Sequence, residues 1–458
     1  MVDYNKYTIY YLSSLSTKDN LKSSWIAANA GGKNGGSAPD PDPSPTPGPD
    51  DPTFVYDVKI DMPASGELDF LYTADIHNAW RHFGLYKGAA NGNGKGNAKT
   101  GTISMFSLGS DASVKRTSGV YKDEQSFTGD LPGDLALYQK KLADNDIPSY
   151  LLDAGDFSQA SVGESLAEKN YTIQRMKELD YFAIVIGNHD WNWPNNGAWS
   201  AKGAIDAWGH LNIVSCNLFK RENGEWKQPF KPYKTIRVGD KKIAIIGIAC
   251  PNFYENNKSD PASGKSTNYF TSKNPINSKY DVGWWRYERW SASLDDWSKN
   301  GYNDYIMLDS INNQSAQSNG TATSSSLYTI VQEYIDDLKN KYGFDYIIAL
   351  MHMTDSTFEP YKSITNIGFS RVDYLIKNTS GLDVVIPGHH NRSLYPDVST
   401  PPEGGYQNKI VKDKSGRNVM IAAEAGGQMK DIGRLRIDLK NNKITCGLLS
   451  KIEDLNSV

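Results

Sequence analysis

Cysteine is nearly absent from the chain: Cys216, Cys250 and Cys446 are the whole supply in 458 residues, and no two are spaced as a CxxC pair. That spacing excludes a zinc ribbon and a disulfide-stapled scaffold, leaving at most one unassigned disulfide. Histidine is also scarce, seven in all. No apolar run exceeds the length of a strand, Ile243 to Ala249 being the longest kind present, so no segment reads as a membrane-spanning helix. The first residues lack the apolar region of a signal peptide, as a processed or truncated exported protein also would. No long basic run occurs either. Lys and Arg number 49 against 53 Asp and Glu, a net charge of −4, which argues against a nucleic-acid partner. Apolar residues make up a modest 38%, but 27 Tyr, 14 Phe and 11 Trp supply bulk for a sizeable core.

The length suits one large domain or two ordinary ones. Residues 1–30 form a leader with a short apolar run and a helix expected near Lys18 to Ala28. Residues 31–53 form a Gly/Pro/Asp-rich linker, GGKNGGSAPDPDPSPTPGPDDP over Gly31 to Pro52. Gly loosens such a segment, alternating Pro extends it and Asp hydrates it, so it suits a tether or a disordered leader. Residues 54–458 read as one domain. Apolar strands are expected at 68–73, 149–154, 181–186, 242–249 and 346–350, and helices at 131–146, 164–179 and 326–341. Strand, polar loop and helix recur in that order, which points to an α/β layered fold. The tail from Asn418 to Ile444 alternates like antiparallel strands. An Asn/Ser/Lys-rich stretch around 251–300, with Trp284, Trp285 and Trp290, is too long for an ordinary connection and reads as an insertion.

The chemistry sits where strands end. Asp75 and His77, Asp156, Asn188 and His189, His352 and His389 all follow predicted strands, and sites in open α/β sheets assemble beyond the carboxyl ends of strands. Alternate residues of an extended segment share a side, so Asp75 and His77 can reach one ion together. Asp156 has two oxygens with which to bridge two ions, Asn188 offers a carbonyl oxygen, and His352 and His389 offer imidazoles. A mixed N/O set suits Zn, Mn, Fe, Ni or Co better than Mg or Ca. Two such ions, about 3.5–4 Å apart, activate water and clamp a phosphoryl group.

Taken in order, Asp75-x-His77, Gly155-Asp156, Gly187-Asn188-His189-Asp190, His352 and Gly388-His389 resemble the motifs of the calcineurin-like metallophosphoesterases. The branch most similar is the catalytic domain of the 5′-nucleotidases. The Thr73-Ala74-Asp75-Ile76-His77 opening and the stretch from Ala425-Gly426 to Gly433 resemble that branch as well. The resemblance spans roughly residues 66–440. It implies a layered β-sandwich flanked by helices (α/β/β/α) holding two divalent metal ions. Asp75, His77 and Asp156 would hold the first ion, and the shared Asp156 with Asn188, His352 and His389 the second. His189 would contact the phosphate and protonate or stabilise the leaving oxygen, a role suited to imidazole near neutral pH.

Two positions depart from the family pattern. The family closes on Gly-His-x-His, whereas this chain reads Gly388-His389-His390-Asn391. Asn391 therefore takes the last ligand position if the segment is extended, and a local shift of backbone would present His390 instead. The acid that orients the catalytic histidine in the nucleotidase branch, three residues on, is here Asn192, with Asp190 as its substitute. The branch also carries a base-stacking C-terminal domain for which the chain leaves no space, so nucleotide hydrolysis is not carried over with the resemblance. Trp191, Trp193 and Trp199 either line a substrate rim or anchor a loop.

The resulting expectation is a metal-dependent phosphoester hydrolase acting on a small phosphorylated, nucleotide-like substrate. The alternative is a catalytically weak surface or glycan-binding protein on the same fold with a structural metal. The linker and the habits of the branch point to an extracellular, periplasmic or cell-surface location.

Overall fold

The computed structural model describes residues 54–78, 131–158, 166–187, 190, 201–249, 326–353, 372–389, 409–425 and 432–449, together with short strands elsewhere. Two sheets stacked face to face make the core. The first has six strands: β1 (Ile26–Ala28), β3 (Glu67–Thr73), β4 (Ser149–Asp153), β5 (Ala183–Ile184), β12 (Ile432–Asp438) and β13 (Lys443–Leu449). The second has seven: β2 (Val58–Ile60), β6 (Tyr233–Val238), β7 (Lys241–Ile248), β8 (Tyr346–Met351), β9 (Val384–Ile386), β10 (Lys409–Lys412) and β11 (Asn418–Ile421). Their spatial orders are β1-β13-β12-β3-β4-β5 and β10-β11-β9-β8-β7-β6-β2. The parallel run β3-β4-β5 ends at one edge of the first sheet, and the parallel run β7-β8-β9-β11 lies inside the second.

Side-chain alternation explains the layering. Leu68, Phe70 and Tyr72 of β3 meet Ile243 and Ile245 of β7, Ile348 and Leu350 of β8, and Val384 and Ile386 of β9 between the sheets. The intervening residues Ala244, Ile246, Ile347, Ala349 and Val385 face outward. There they pack against Leu327, Val331 and Ile335 of helix α3 (Ser326–Asp336) and Val372, Leu375 and Ile376 of α4 (Val372–Asn378). Strands buried on both faces read as continuous apolar runs, which is why β7 and β8 stand out in the sequence. On the far side α1 (Leu131–Asp144) packs against β4. Its buried Leu135, Tyr138 and Leu142 lie on one helical face. Arg434 of β12 places its guanidinium 5.6 Å from the Tyr138 ring centroid. These layers are the α/β/β/α sandwich that the motif series implied.

Helices α1 and α2 (Leu166–Glu178) both end in a Schellman turn with aspartate in the left-handed position, Asp146 at φ 57° and Asp180 at φ 54°. The next amides, of Ile147 and Tyr181, reach back to the carbonyls of Leu142 and Met176. Each turn returns the chain directly into a parallel strand, β4 or β5.

Three expectations change. The helix near Lys18 to Ala28 is replaced, in its described part, by β1, which pairs Ile26 with Cys446 along the open edge of β13; an uncovered sheet edge is a ready partner for an extended segment. In the tail, β11 pairs antiparallel with β10 but joins β9 in parallel. Finally, Leu218–Glu222 and Glu225–Lys227 form an unexpected hairpin turned by Asn223 and Gly224, at φ 52° and 86°. That hairpin joins a four-stranded satellite sheet with Tyr305–Leu308 and Trp284–Trp285. The rest of the expected 251–300 insertion, the linker at 31–53 and most of the 1–30 leader lie outside the described residues.

Candidate metal centre

The carboxyl ends of both parallel runs meet at one edge of the sandwich. β3 leads into Asp75 and His77, β4 into Asp156, β8 into His352 and β9 into His389, and all but the half-buried His389 are almost entirely removed from solvent. The loops are tied across the two sheets. The amide of His389 donates to Asp75 Oδ2 at 2.8 Å. His352 Nδ1 donates to the carbonyl of Ala154 at 2.7 Å. Within the first sheet, the amides of Asp75 and His77 donate to the carbonyls of Gly155 and Asp156 at 2.8 and 2.9 Å.

Asp75 and His77 do converge, but not by strand alternation. Their φ angles are 52° and 50°, and Asp156 is at 57°, so the chain passes through left-handed turns that only short polar residues and glycine adopt readily. His389 sits at φ 89°. The backbone is therefore not extended there, and strand alternation does not choose between His390 and Asn391.

Glycines let the loops approach one another. Gly155 has φ 95°, and a Cβ there would lie 2.8 Å from both the Gly187 amide nitrogen and His352 Nδ1. A Cβ on Gly187 would lie 2.7 Å from Asp156 Cγ and closer still to its Oδ1 and amide nitrogen. The Gly-Asp and Gly-Asn-His motifs thus hold glycine because each loop rests on the next.

Two groups of donor atoms result, and Asp156 belongs to both. Asp75, His77 and Asp156 form one, and Asp156, His352 and His389 the other, with the atoms of each group within 4.8 Å of one another. His77 Nε2 is 3.9 Å from Asp75 Oδ1 and 3.9 Å from Asp156 Oδ2. His352 Nε2 is 3.0 Å from Asp156 Oδ2 and 3.2 Å from His389 Nδ1. Since a carbonyl only accepts, His352 carries its proton on Nδ1 and turns the Nε2 lone pair into the site.

The electrostatics ask for a cation. Asp75 Oδ1 is buried and accepts no hydrogen bond. Burial first, then the charges of Asp156, Glu424 and Asp153, hold the Asp75 carboxyl well above the usual range, against the pull of the His389 amide. Burial likewise pushes Asp153 up to about 8. So many buried carboxylates are costly when ionised unless positive charge is supplied, and a divalent ion among N and O donors supplies it.

Asp190 also reaches the site, but its oxygens face loop amides and the Ser158 hydroxyl. Asn188, His189, Asn192, His390 and Asn391 lie outside the described residues. Glu424 escaped the sequence reading. It follows β11 as the one charge in Ala422-Ala423-Glu424-Ala425, is 2% exposed, and its charge reaches Asp75. A lone acid in an apolar strand end was the available signal.

Comparison with known proteins bears on this arrangement. The chain is 24% identical over 344 residues to the snake venom 5′-nucleotidase of Gloydius brevicauda, covering 73% of this chain and 45% of that protein. It is 25% identical over 304 residues to the 5′-nucleotidase of Bos taurus, covering 64% of this chain and 39% of that one. The chain therefore spans less than half the length of these relatives. Among solved structures, a 5′-nucleotidase precursor from Thermus thermophilus aligns over 85% of this chain and 55% of that one, with 17% identity and a TM-score of 0.46. The family model described as calcineurin-like phosphoesterase matches residues 68–392, a span holding every member of both donor groups. That match covers well over half of the sequence, and the chain belongs to the calcineurin-like phosphoesterase family.

Proposed function

We propose that the chain is a hydrolase of small phosphoesters that works through two divalent cations sharing Asp156. The observation that carries this reading is the membership of Asp156 in both donor groups, each completed from a different sheet. Asp75, His77 and Asp156 hold the first cation, together with Asn391 or His390. Asp156, His352, His389 and Asn188 hold the second. The donor chemistry fits Zn, Mn, Fe, Ni or Co. When bound, such cations lower the pKa of water and offset charge on the phosphoryl oxygens.

The chain's own residues do the rest. The Asp75 carboxylate fixes the His389 loop through one oxygen and keeps the other for the site. His352 is held in one tautomer by Ala154. His189, beside Asn188, donates a proton to the departing oxygen, with Asn192 near enough in sequence to orient it. A nucleotide-like substrate and an exported or surface-tethered setting are supported by the names of the relatives, a venom enzyme among them, and by the Pro/Asp-rich stretch before residue 54. No helix among the described residues is long and apolar enough to cross a membrane.

The test is turnover of a nitrophenyl phosphate monoester and diester, and of a nucleoside 5′-monophosphate, by protein stripped with chelator and resupplied with Mn, Zn, Ni or Co. Activity should vanish on stripping and return with metal. Protein that rebinds metal and hydrolyses none of these esters would instead be a binding module on this fold.

A further inference from the structure

The sequence offers Asp190 as a stand-in for the acid that orients His189, yet its carboxylate is bonded elsewhere. It is fully buried. Oδ2 accepts the amide of Gly187 at 2.8 Å and that of Asp156 at 2.9 Å. Oδ1 accepts the amide of Ser158 at 2.8 Å and its hydroxyl at 2.9 Å. An ionised carboxylate has about four lone-pair sites, and four donors occupy them. No acceptor capacity is left for the imidazole of the preceding residue.

The donors come from two loops. Asp156 and Ser158 belong to the loop after β4, and Gly187 precedes Asn188 in the loop after β5. We propose that Asp190 is the positioning residue that locks these loops together and so fixes the shared carboxylate of Asp156 relative to the loop after β5. The inference rests on the two-cation reading. It differs from an imidazole-orienting role in what the loss of Asp190 would damage: cation binding first, rather than protonation of the leaving oxygen. Groups that orient metal ligands typically contribute about 10–100-fold to metal affinity.

The test compares wild type with Asp190→Ala, Asp190→Asn and Ser158→Ala. Mn or Zn is titrated calorimetrically into stripped protein, and kcat is measured on a nitrophenyl and an alkyl phosphate. Asp190→Ala should weaken cation binding about 10–100-fold and lower kcat by the same factor on both esters. Asp190→Asn keeps one oxygen for two of the amides and should recover part of the affinity; Ser158→Ala, losing one donor of four, should fall least. If Asp190→Ala fails to fold, the two milder variants carry the same comparison. Native affinity in the variants, with a rate loss that grows as the leaving group becomes more basic, would return Asp190 to His189 and overturn the proposal. Wild-type protein that binds no cations would overturn the two-cation reading instead, a distinct result.

Discussion

Adding one methyl group at Gly187 should disable the centre without touching a donor atom. A Cβ at Gly187 would stand 2.7 Å from Asp156 Cγ, where ordinary contact begins near 3.4 Å, and it presses harder on Asp156 Oδ1 and its amide. The shortfall at Cγ alone is 3.4 − 2.7, or about 0.7 Å, so relief needs a displacement on the order of 1 Å. Asp156 cannot swing aside cheaply: it is buried, its amide is bonded to Asp190, and its carbonyl accepts the His77 amide. Overpacking of this kind costs about 1–3 kcal/mol of stability, and a misplacement near 1 Å costs about 10²-fold in rate. Gly187→Ala should therefore remain largely folded while kcat falls about 100-fold and bound metal declines. Gly209→Ala is the control, because a Cβ there meets nothing closer than 3.4 Å. The assays are chemical unfolding, metal content of the purified protein and turnover of a nitrophenyl ester. A Gly187→Ala protein with native metal content and native rate would refute the stacking of these loops.

Other outcomes follow from the same contacts. His189→Ala should keep its metal while kcat falls about 10²–10⁴-fold, less so on esters with acidic leaving groups; equal loss on all esters would point to phosphate binding instead. Asp69 accepts Arg434 Nε at 2.6 Å and Arg436 Nε at 2.7 Å in a buried cluster. Asp69→Ala should cost about 3–5 kcal/mol in urea unfolding by stranding a buried guanidinium, and a loss below about 1 kcal/mol would show the pair to be solvated. Burial pushes the Cys446 thiol up to about 11 and Cys216 higher still. At pH 8 roughly one Cys446 thiol in a thousand is then a thiolate, so a folded Cys250→Ser variant should resist thiol reagents until denatured. Rapid labelling of the native variant would contradict that burial.

The strand ends were legible because their polar residues interrupt apolar runs: Asp75 after Leu68 to Thr73, and His352 after Tyr346 to Met351. The convergence of Asp75, His77, Asp156, His352 and His389 was also legible, but the reason was not. Asp75, His77 and Asp156 meet through left-handed turns, and no periodicity in the sequence encodes a positive φ at a non-glycine residue. Glu424 stayed hidden because its neighbours are alanines and its significance lies in the charge it exerts on Asp75, more than 300 residues away in sequence. The Asn223-Gly224 hairpin carries a turn signal, but its strands alternate charged and apolar residues too weakly to stand out as strands. The place of β1 on β13 depends on an edge that exists only after the sheet has formed.

The central claim is that Asp156 is shared between two cations, and anomalous diffraction from crystals of metal-loaded protein tests it most directly. The account predicts two anomalous peaks, one among Asp75, His77 and Asp156 and one among Asp156, His352 and His389, with both weakened in Asp156→Asn. A fully active protein showing a single peak, or Asp156→Asn retaining both peaks at native strength, would contradict it.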